Sequence, residues 1–333
     1  MEELLKISGM TKKDFEVQAI FHQYALEKIA TASRNNTRFV HYTNADTAMK
    51  LFKNEEVWLR KSTNMNDFME VEHGFDCLKH SYRQHNDNVK KLFDGMFQGI
   101  CKRIEEHINS WFPKFRLETY LACVSEHDDS PNRNEDQMGR LSMWRAYGGV
   151  SGVAIVMNGG VFHTPITSDA LKAYVSPVAY LHIDGFEQEF LRLLMNIQAS
   201  RDIIVAMGEE EFFARICQSF RFAILSTKHP GFVEEREWRI IYNPAVDRSE
   251  VIQESIESIG GIPQKVCKLP LKDRSELGIN GITLPSLINR VIIGPTLYPF
   301  DVAEALTVLL EKAGVENAAA KVFVSDIPLR QMR

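Results

Sequence analysis

Four short clusters in this 333-residue sequence combine side chains that could bind or transform a small molecule. The first is His41-Tyr42-Thr43, where a β-rich run gives way to Asn44. A strand-end histidine can exchange hydrogen bonds with a ligand hydroxyl, and a threonine two residues later faces the same way. We therefore expect His41 and Thr43 side by side at the mouth of a cleft. A strand histidine satisfied by its neighbours would leave the same pattern.

The second cluster follows a short β-rich run and is dense in residues that favour turns. It contains Asn66 and Asp67, which are candidate ligand-binding residues, and it precedes Glu70 and Glu72. Capping of the next helix explains the same composition. Glu70 and Glu72 are two residues apart and would lie on different faces of a helix, which argues against a pair of catalytic carboxylates.

The third cluster is Met143-Trp144-Arg145-Ala146-Tyr147, which precedes a pair of glycines and a predicted strand. Trp144 and Tyr147 are three residues apart, so a helix would place them on one face. They could form an aromatic wall against a base or a nicotinamide ring. Aromatic residues at this spacing also commonly pack into a core.

The fourth cluster extends from Lys228 to Arg239 and carries most of the charge in this part of the chain. Glu235, Glu237 and Arg239 follow each other at period two, so a strand would place all three on one face. One interpretation is a pair of carboxylates that an arginine orients inside a cleft. The other is an exposed edge strand with an ion pair of about 0–1 kcal/mol.

Hydrophobic periodicity indicates which elements position these clusters. Strands are predicted near residues 38–42, 57–59, 117–125, 153–157, 174–180, 237–242, 291–293 and 321–324. Pro177 marks the strand near 174–180 as an edge strand or a bulge. Helices are predicted over residues 11–33, 45–54, 72–112, 140–147, 184–226 and 299–313. Because βαβ alternation is weak and neither GxGxxG nor GxxxxGK[ST] occurs, we expect a mixed α+β fold.

These patterns divide the chain into a helical extension at residues 1–36 and one α+β domain at residues 37–333. Helical insertions are expected at residues 72–112 and 184–226, and 72–112 is expected to hold two helices. The N-terminal helix is expected either as an appendage or as an element through which two copies associate.

Composition narrows the class of protein further. Apolar residues make up 44%, which excludes a disordered chain. The net charge of −5 does not forbid nucleic-acid binding, but it gives no argument for it from a basic composition. Five isolated cysteines fit neither a disulfide framework nor a zinc site and predict packed thiols in a cytoplasmic protein. We also expect no metal site and no membrane span.

In their order along the chain, the clusters resemble a bacterial family known as domain of unknown function 2971. Family features include a H-Y-T-like triplet, an LW strand, an N-D-P-x-E-like loop, a C-x-S strand, an MW-x-x-Y helix and a K…E-x-E-W-R strand. The corresponding residues here fall within 38–295 and include His41-Tyr42-Thr43, Cys123-Val124-Ser125 and Glu235 to Arg239. One departure is Phe68, where the family usually has proline.

The same triplet is similar, more faintly, to the first strand of ADP-ribosyltransferase-type folds. This resemblance implies a mixed split β-sheet core in which His41 binds a ribose, the backbone of Tyr42 holds the nicotinamide amide and Thr43 assists. It implies that Glu237 binds the nicotinamide ribose with Glu235 beside it. The remaining cofactor-binding candidates would complete the site: Asn66, Asp67, Trp144, Tyr147, Lys228 and Arg239.

Three functions follow as expectations. The first is an NAD-consuming ADP-ribosyltransferase or NAD glycohydrolase, such as a toxin or phage-defence effector, with NAD as substrate and an unknown protein or nucleic-acid acceptor. The second is a non-catalytic ligand-binding or regulatory module that recognises a small nucleotide. The third is a metal-dependent nuclease built on Asp67 and the Glu235/Glu237 pair, although no lysine follows Glu237 in an E-x-K arrangement.

Overall fold

A computed structural model describes residues 11–65, 70–128, 130, 134–163 and 170–329 of the chain. The helices, in chain order, are α1 (Lys12–Phe21), α2 (Gln23–Arg34), α3 (Ala45–Asn54), α4 (Glu70–Gln84), α5 (Asn86–Phe93), α6 (Ile100–Glu118), α7 (Glu135–Met138), α8 (Leu141–Tyr147), α9 (Gly160–His163), α10 (Ile183–Ala199), α11 (Arg201–Met207), α12 (Glu209–Leu225), α13 (Leu284–Leu287), α14 (Pro299–Lys312) and α15 (Ala318–Lys321). Short 3-10 turns occupy Ser62–Asn64, Pro230–Glu235 and Ser275–Leu277.

The strands provide the frame on which these helices pack. They are β1 (Arg38–Asn44), β2 (Glu56–Lys61), β3 (Tyr120–His127), β4 (Gly152–Met157), β5 (Ala173–Pro177), β6 (Ala179–Tyr180), β7 (Thr227–Lys228), β8 (Glu237–Tyr242), β9 (Gln253–Ile259), β10 (Ile262–Pro270), β11 (Ile288–Ile293) and β12 (Val322–Val324). Ten of them form one mixed sheet in the order β12-β11-β4-β1-β3-β2-β10-β9, with β8 and then β5 joined to β3. β11 and β12 are parallel, as are the separately paired β6 and β7.

The sheet divides at β3. β8 pairs with residues 120–125 of β3, so β1 and β2 share its opposite edge. β1 pairs there only up to Val40↔Ser125, and β2 pairs only with Leu121 and Tyr120. Residues 122–124 of β3 therefore have no strand partner on this edge. We call this gap, at residues 122–124, the split.

One face of the sheet is covered by a helical layer. Side chains from α1, α4–α6 and α10–α12 form a single buried cluster that reaches Leu121 of β3 and Ile241 of β8. Val17, Ile20 and Phe21 of α1 belong to this cluster, so the side chains of the first helix point into the layer. Each region expected as a helical insertion contains three helices rather than one or two.

The reverse face carries smaller cores. Val153 and Ile155 of β4 pack there with Phe52 of α3 and with side chains of β11, α13 and α14. Trp238 of β8 packs on this face with Phe39 and with Ala32 of α2. Both faces of the central strands are thus buried, and this accounts for their nearly continuous apolar runs.

The structure confirms the mixed α+β class and differs in several local features. The single helix predicted over 11–33 is two helices that meet at His22. The strand predicted from residue 117 begins at Tyr120, because α6 continues to Glu118. β5, which contains Pro177, pairs with β8 alone among the described strands and is the edge that the proline predicted.

Candidate functional site

His41 lies at the split and occupies a position that a strand would otherwise fill. Its Nδ1 is 2.9 Å from the backbone oxygen of Cys123. A carbonyl oxygen only accepts hydrogen bonds, so Nδ1 carries the proton and Nε2 is the acceptor nitrogen of the neutral ring. Burial lowers the pKa of His41 and outweighs the Cys123 carbonyl, which raises it. His41 is therefore neutral at pH 7, and its Nε2 has no hydrogen-bond partner among the described residues.

A cavity of about 360 Å³ opens beside the split, and we call it the cleft. Its walls are the junction of β1 and α3, strands β2 and β3, helix α8 and the turn Pro230–Glu235. Asn44 shapes the first wall, because its side chain accepts from the backbone N–H of Thr47 and starts α3. The structure places seven of the predicted site residues on this cleft: His41, Tyr42, Thr43, Tyr147, Lys228, Glu235 and Glu237.

Lys228 joins the two carboxylates of the cleft. Its Nζ is 2.7 Å from Glu235 Oε2 and 2.9 Å from Glu237 Oε2. The lysine side chain is only 4% exposed, so the ammonium is held by these partners and not by water. Glu235 and Glu237 are thus fixed on either side of one buried cation.

Glu237 is enclosed more completely than Glu235. Its Oε1 accepts from Nε of Arg239 at 2.8 Å, and its backbone N–H donates to the hydroxyl of Tyr180 at 2.8 Å. Burial raises the pKa of Glu237, but Arg239 and Lys228 outweigh it and hold that pKa well below its ordinary value. Arg239 also donates to the carbonyl of Leu225, and it does not line the cleft. Its role is to compensate the charge of Glu237 from behind.

Glu235 reaches the cleft from a different element. We expected it on the same strand face as Glu237 and Arg239, but this expectation is wrong because Glu235 ends the 3-10 turn Pro230–Glu235. Arg236 follows with φ 45°, a left-handed conformation that turns the chain before β8 begins. Glu235 meets Glu237 only through Lys228, and its Oε1 accepts from the hydroxyl of Tyr147 at 2.9 Å.

Of the two predicted aromatic residues, Tyr147 lies at the cleft and Trp144 lies in the core. Tyr147 lines the cleft, whereas Trp144 is 3% exposed and packs edge-on against Tyr42. The indole N–H of Trp144 donates to the carbonyl of Met138. A Cβ on Gly152 would lie 2.9 Å from the Trp144 ring, so the glycine allows the ring to fill this space. Trp144 is thus a packing residue in this structure and does not form the expected aromatic wall.

The remaining predictions are placed as follows. Tyr42 lines the cleft, but its hydroxyl is occupied because it accepts from the backbone N–H of Arg140. Asn66 and Asp67 lie outside the described residues. The interpretation of β8 as an exposed edge strand is wrong, since it lies between β3 and β5.

The sequence analysis missed several cleft residues, among them Trp58 and Arg60 of β2. β2 pairs with the edge of β3 opposite to β8, the strand that carries Glu237. The alternation of Glu56, Trp58 and Arg60 with apolar Val57 and Leu59 was the available signal, because it places all three polar or aromatic side chains on one face.

Within the described ranges, no group of three or more His, Cys, Asp or Glu side chains stands where it could hold a metal ion. The same part of the chain contains no helix long and apolar enough to cross a bilayer. Four of the five cysteines are buried and all are free thiols.

Comparison with known proteins finds a match to a family model, and the matched segment contains two carboxylates that line the cleft. Neither a curated protein nor a solved structure matches the chain. A family model described as a protein of unknown function (DUF2971) matches residues 143–240, which include Tyr147, Lys228, Glu235 and Glu237. The resemblance to this family that the motifs indicated is confirmed over that segment.

Proposed function

We propose that the cleft binds NAD and breaks its nicotinamide–ribose bond, so that the chain acts as an ADP-ribosyltransferase or an NAD glycohydrolase. The observation that carries the proposal is the position of His41. At the split it presents an acceptor nitrogen that no described residue contacts by a hydrogen bond, on the same cleft as two carboxylates. The ribose hydroxyls of a ribonucleotide can donate to the His41 nitrogen. The positive charge that develops on the sugar during cleavage can be stabilised by a carboxylate.

Binding of a ribose is the step that His41 supports directly. Because Nδ1 is committed to Cys123, the imidazole cannot rotate or change tautomer without losing that bond. Nε2 can then accept from a ribose hydroxyl, and Thr43, which also lines the cleft, supplies a second polar group. A volume of about 360 Å³ falls within the range of small-molecule sites.

Bond cleavage requires negative charge near the anomeric carbon. The C–N bond breaks, its electron pair leaves with nicotinamide and neutralises the ring charge, and the ribose becomes an oxocarbenium ion. Water, or an acceptor group, then attacks that carbon and loses a proton. We assign the carboxylate that faces this cation to Glu235, which is 15% exposed, whereas Glu237 is 4% exposed and enclosed by Arg239 and Lys228.

A second candidate function is binding without chemistry. The observation that favours it is the charge balance of the cluster, in which the positive charges of Lys228 and Arg239 match the negative charges of Glu235 and Glu237. A compensated carboxylate stabilises a nearby cation less than a free one does. In this case the chain recognises a nucleotide and leaves it intact.

The test measures NAD affinity and nicotinamide release on the same preparation, with and without candidate protein and nucleic-acid acceptors. We expect release by the wild type and a loss of about 10²–10³-fold in rate for Glu235→Gln, with a much smaller change in NAD affinity. Glu254→Gln removes a carboxylate from a surface ion pair with Lys265 and is the matched control.

The outcomes separate the two functions. NAD binding without nicotinamide release, in every acceptor condition, assigns the chain to the binding module. Full release by Glu235→Gln transfers the carboxylate role to Glu237. No binding of NAD at all overturns both. As part of this proposal we place the chain in the cytoplasm, where its five free thiols remain reduced.

A further inference from the structure

Arg60 presents to the cleft a charged group that no carboxylate of the described residues neutralises. It lies on β2, which pairs with the edge of β3 opposite to β8, and its side chain is half-buried. Its Nη2 donates to the backbone oxygen of Asn64 at 3.1 Å and to Gln264 Oε1 at 3.3 Å, both neutral acceptors. The Nε atom is fully buried and has no hydrogen-bond partner in the described parts of the chain.

The other charged side chains on the cleft are all paired. Asp46 is 2.8 Å from Lys50, and Glu56 is 2.8 Å from Lys268. Lys228 forms ion pairs with both Glu235 and Glu237. Among the described residues, Arg60 alone on this surface has no oppositely charged side chain within 4.0 Å.

An unpaired guanidinium of this kind is costly for the folded chain. Burial lowers the pKa of Arg60, and no carboxylate in the described parts of the chain offsets that effect. A buried charge without a partner destabilises a fold, so its presence at a cavity wall is expected where a ligand supplies the missing anion. A guanidinium fork suits the two oxygens of a phosphate.

We propose that Arg60 binds the pyrophosphate of a dinucleotide in the cleft. This inference deepens the proposed function and rests on it for the identity of the ligand. The register of β3 supports the placement, because Arg60 pairs with Leu121 and Glu237 pairs with Ser125. Four residues separate those partners, or ~13 Å along the strand. This offset places Arg60 and Glu237 at different positions along β3, as binding of the phosphates and of the nicotinamide ribose of one dinucleotide would require.

The test uses Arg60→Gln and titrates inorganic pyrophosphate and ADP-ribose by calorimetry. We expect each to bind at least about tenfold more weakly than to the wild type, and Arg60→Lys to recover part of the affinity because it keeps the charge but loses the fork. Arg34→Gln, at an exposed position on α2, makes the same change of charge away from the cleft and is the control. The melting temperature of Arg60→Gln should stay the same or rise.

Further probes decide what the site recognises. Adenosine, which has no phosphate, should bind equally to both proteins, and succinate should bind far more weakly than pyrophosphate. Equal pyrophosphate affinity in Arg60→Gln and wild type, or a lowered melting temperature with unchanged affinity, overturns the proposal and makes Arg60 structural. Succinate binding as tightly as pyrophosphate overturns the choice of phosphate.

The same experiments keep this inference separate from the NAD activity. Pyrophosphate binding that depends on Arg60, in a protein that releases no nicotinamide, supports the phosphate site and contradicts NAD cleavage. Nicotinamide release by Arg60→Gln with the wild-type KM supports NAD cleavage and contradicts the phosphate site.

Discussion

Two networks of charged side chains lie near the C-terminal end of β3, and only one of them lines the cleft. The cleft cluster consists of Lys228, Glu235, Glu237 and Arg239. The second network, which we call the clamp, consists of Arg38, His127, Asp136 and Arg290. Asp136 lies 2.6 Å from Arg38, 3.0 Å from His127 and 2.8 Å from Arg290.

The clamp connects elements, whereas the cleft cluster faces a ligand-sized space. Asp136 belongs to the short helix α7, and its partners come from β1, β3 and β11. No member of the clamp lines the cleft, but three of the four members of the cleft cluster do. Each network contains a carboxyl group whose pKa is lowered, Glu237 in the cleft cluster and Asp136 in the clamp. A shifted pKa alone therefore does not identify a functional site. Access to a cavity separates the two.

The largest effect that the comparison predicts is on folding. Glu237→Gln removes the anion that compensates Arg239 and shares Lys228, and breaking a buried pair of this kind costs about 3–5 kcal/mol. We expect the free energy of unfolding in urea to fall by this amount. A variant as stable as the wild type would show that the cluster is not a structural unit.

The pH dependence of stability provides an independent check on Glu237. Its pKa is lower in the folded chain than the ordinary carboxyl value, about 4.3 in the unfolded chain. The stability that it contributes is therefore present above that value and is lost as the pH falls below it toward the folded pKa. The wild type should lose more stability than Glu237→Gln in this acid range, and parallel pH profiles would contradict the lowered pKa.

A smaller effect is expected at the clamp. Asp136→Asn removes the charge that three basic groups share, and a hydrogen bond to a charged group contributes about 1.5–3 kcal/mol. Because the Asp136 side chain is 32% exposed, we expect a loss of about 1–2 kcal/mol in the free energy of unfolding, with solvent screening the remainder.

Ligand binding separates the clamp from the cleft cluster. Asp136→Asn should leave the affinity for NAD or for pyrophosphate unchanged, because no clamp residue lines the cleft. Measuring Kd and the melting temperature on one sample tests both statements. A weakened Kd would mean that the two networks are coupled through β3, and the distinction between them would fail.

The sequence predicted where the strands of this site lie along the chain better than it predicted their pairing and the turns between them. β1, β4 and β8 were predicted from their β-forming residues, and most of the residues of each strand are buried. The β9–β10 hairpin was not predicted, because β9 is mostly exposed and its outward residues give little hydrophobic contrast. Arg236 explains another miss, since its left-handed turn detaches Glu235 from β8 and arginine gives no signal for that conformation.

The candidate site could be predicted as residue types but not as a set of contacts. The period-two spacing of His41 and Thr43 predicted a shared strand face, and both residues line the cleft. The spacing of Trp144 and Tyr147 did not reveal that Trp144 is in the core. Only tertiary structure decides that, because Gly152 lies in the next strand and leaves room for the Trp144 ring. The missing counter-charge of Arg60 is likewise a property of the folded chain.

The smallest effect concerns Tyr147, which links helix α8 to the cleft cluster. Its hydroxyl donates to Glu235 at 2.9 Å, and burial, followed by the charge of Glu235, raises its pKa, so it remains a donor over the accessible pH range. Tyr147→Phe should keep the fold and reduce stability by about 1 kcal/mol. The same hydrogen bond orients the Glu235 carboxylate beside the cleft.

If Glu235 is the carboxylate that faces the ribosyl cation, Tyr147→Phe should also lower the rate of nicotinamide release by up to about tenfold, because the carboxylate is kept but loses one of the groups that orient it. A purely structural tyrosine would lower the melting temperature and leave the release rate per folded molecule unchanged. That result would assign Tyr147 to packing between α8 and the turn before β8, and it would count against Glu235 as the carboxylate that faces the sugar.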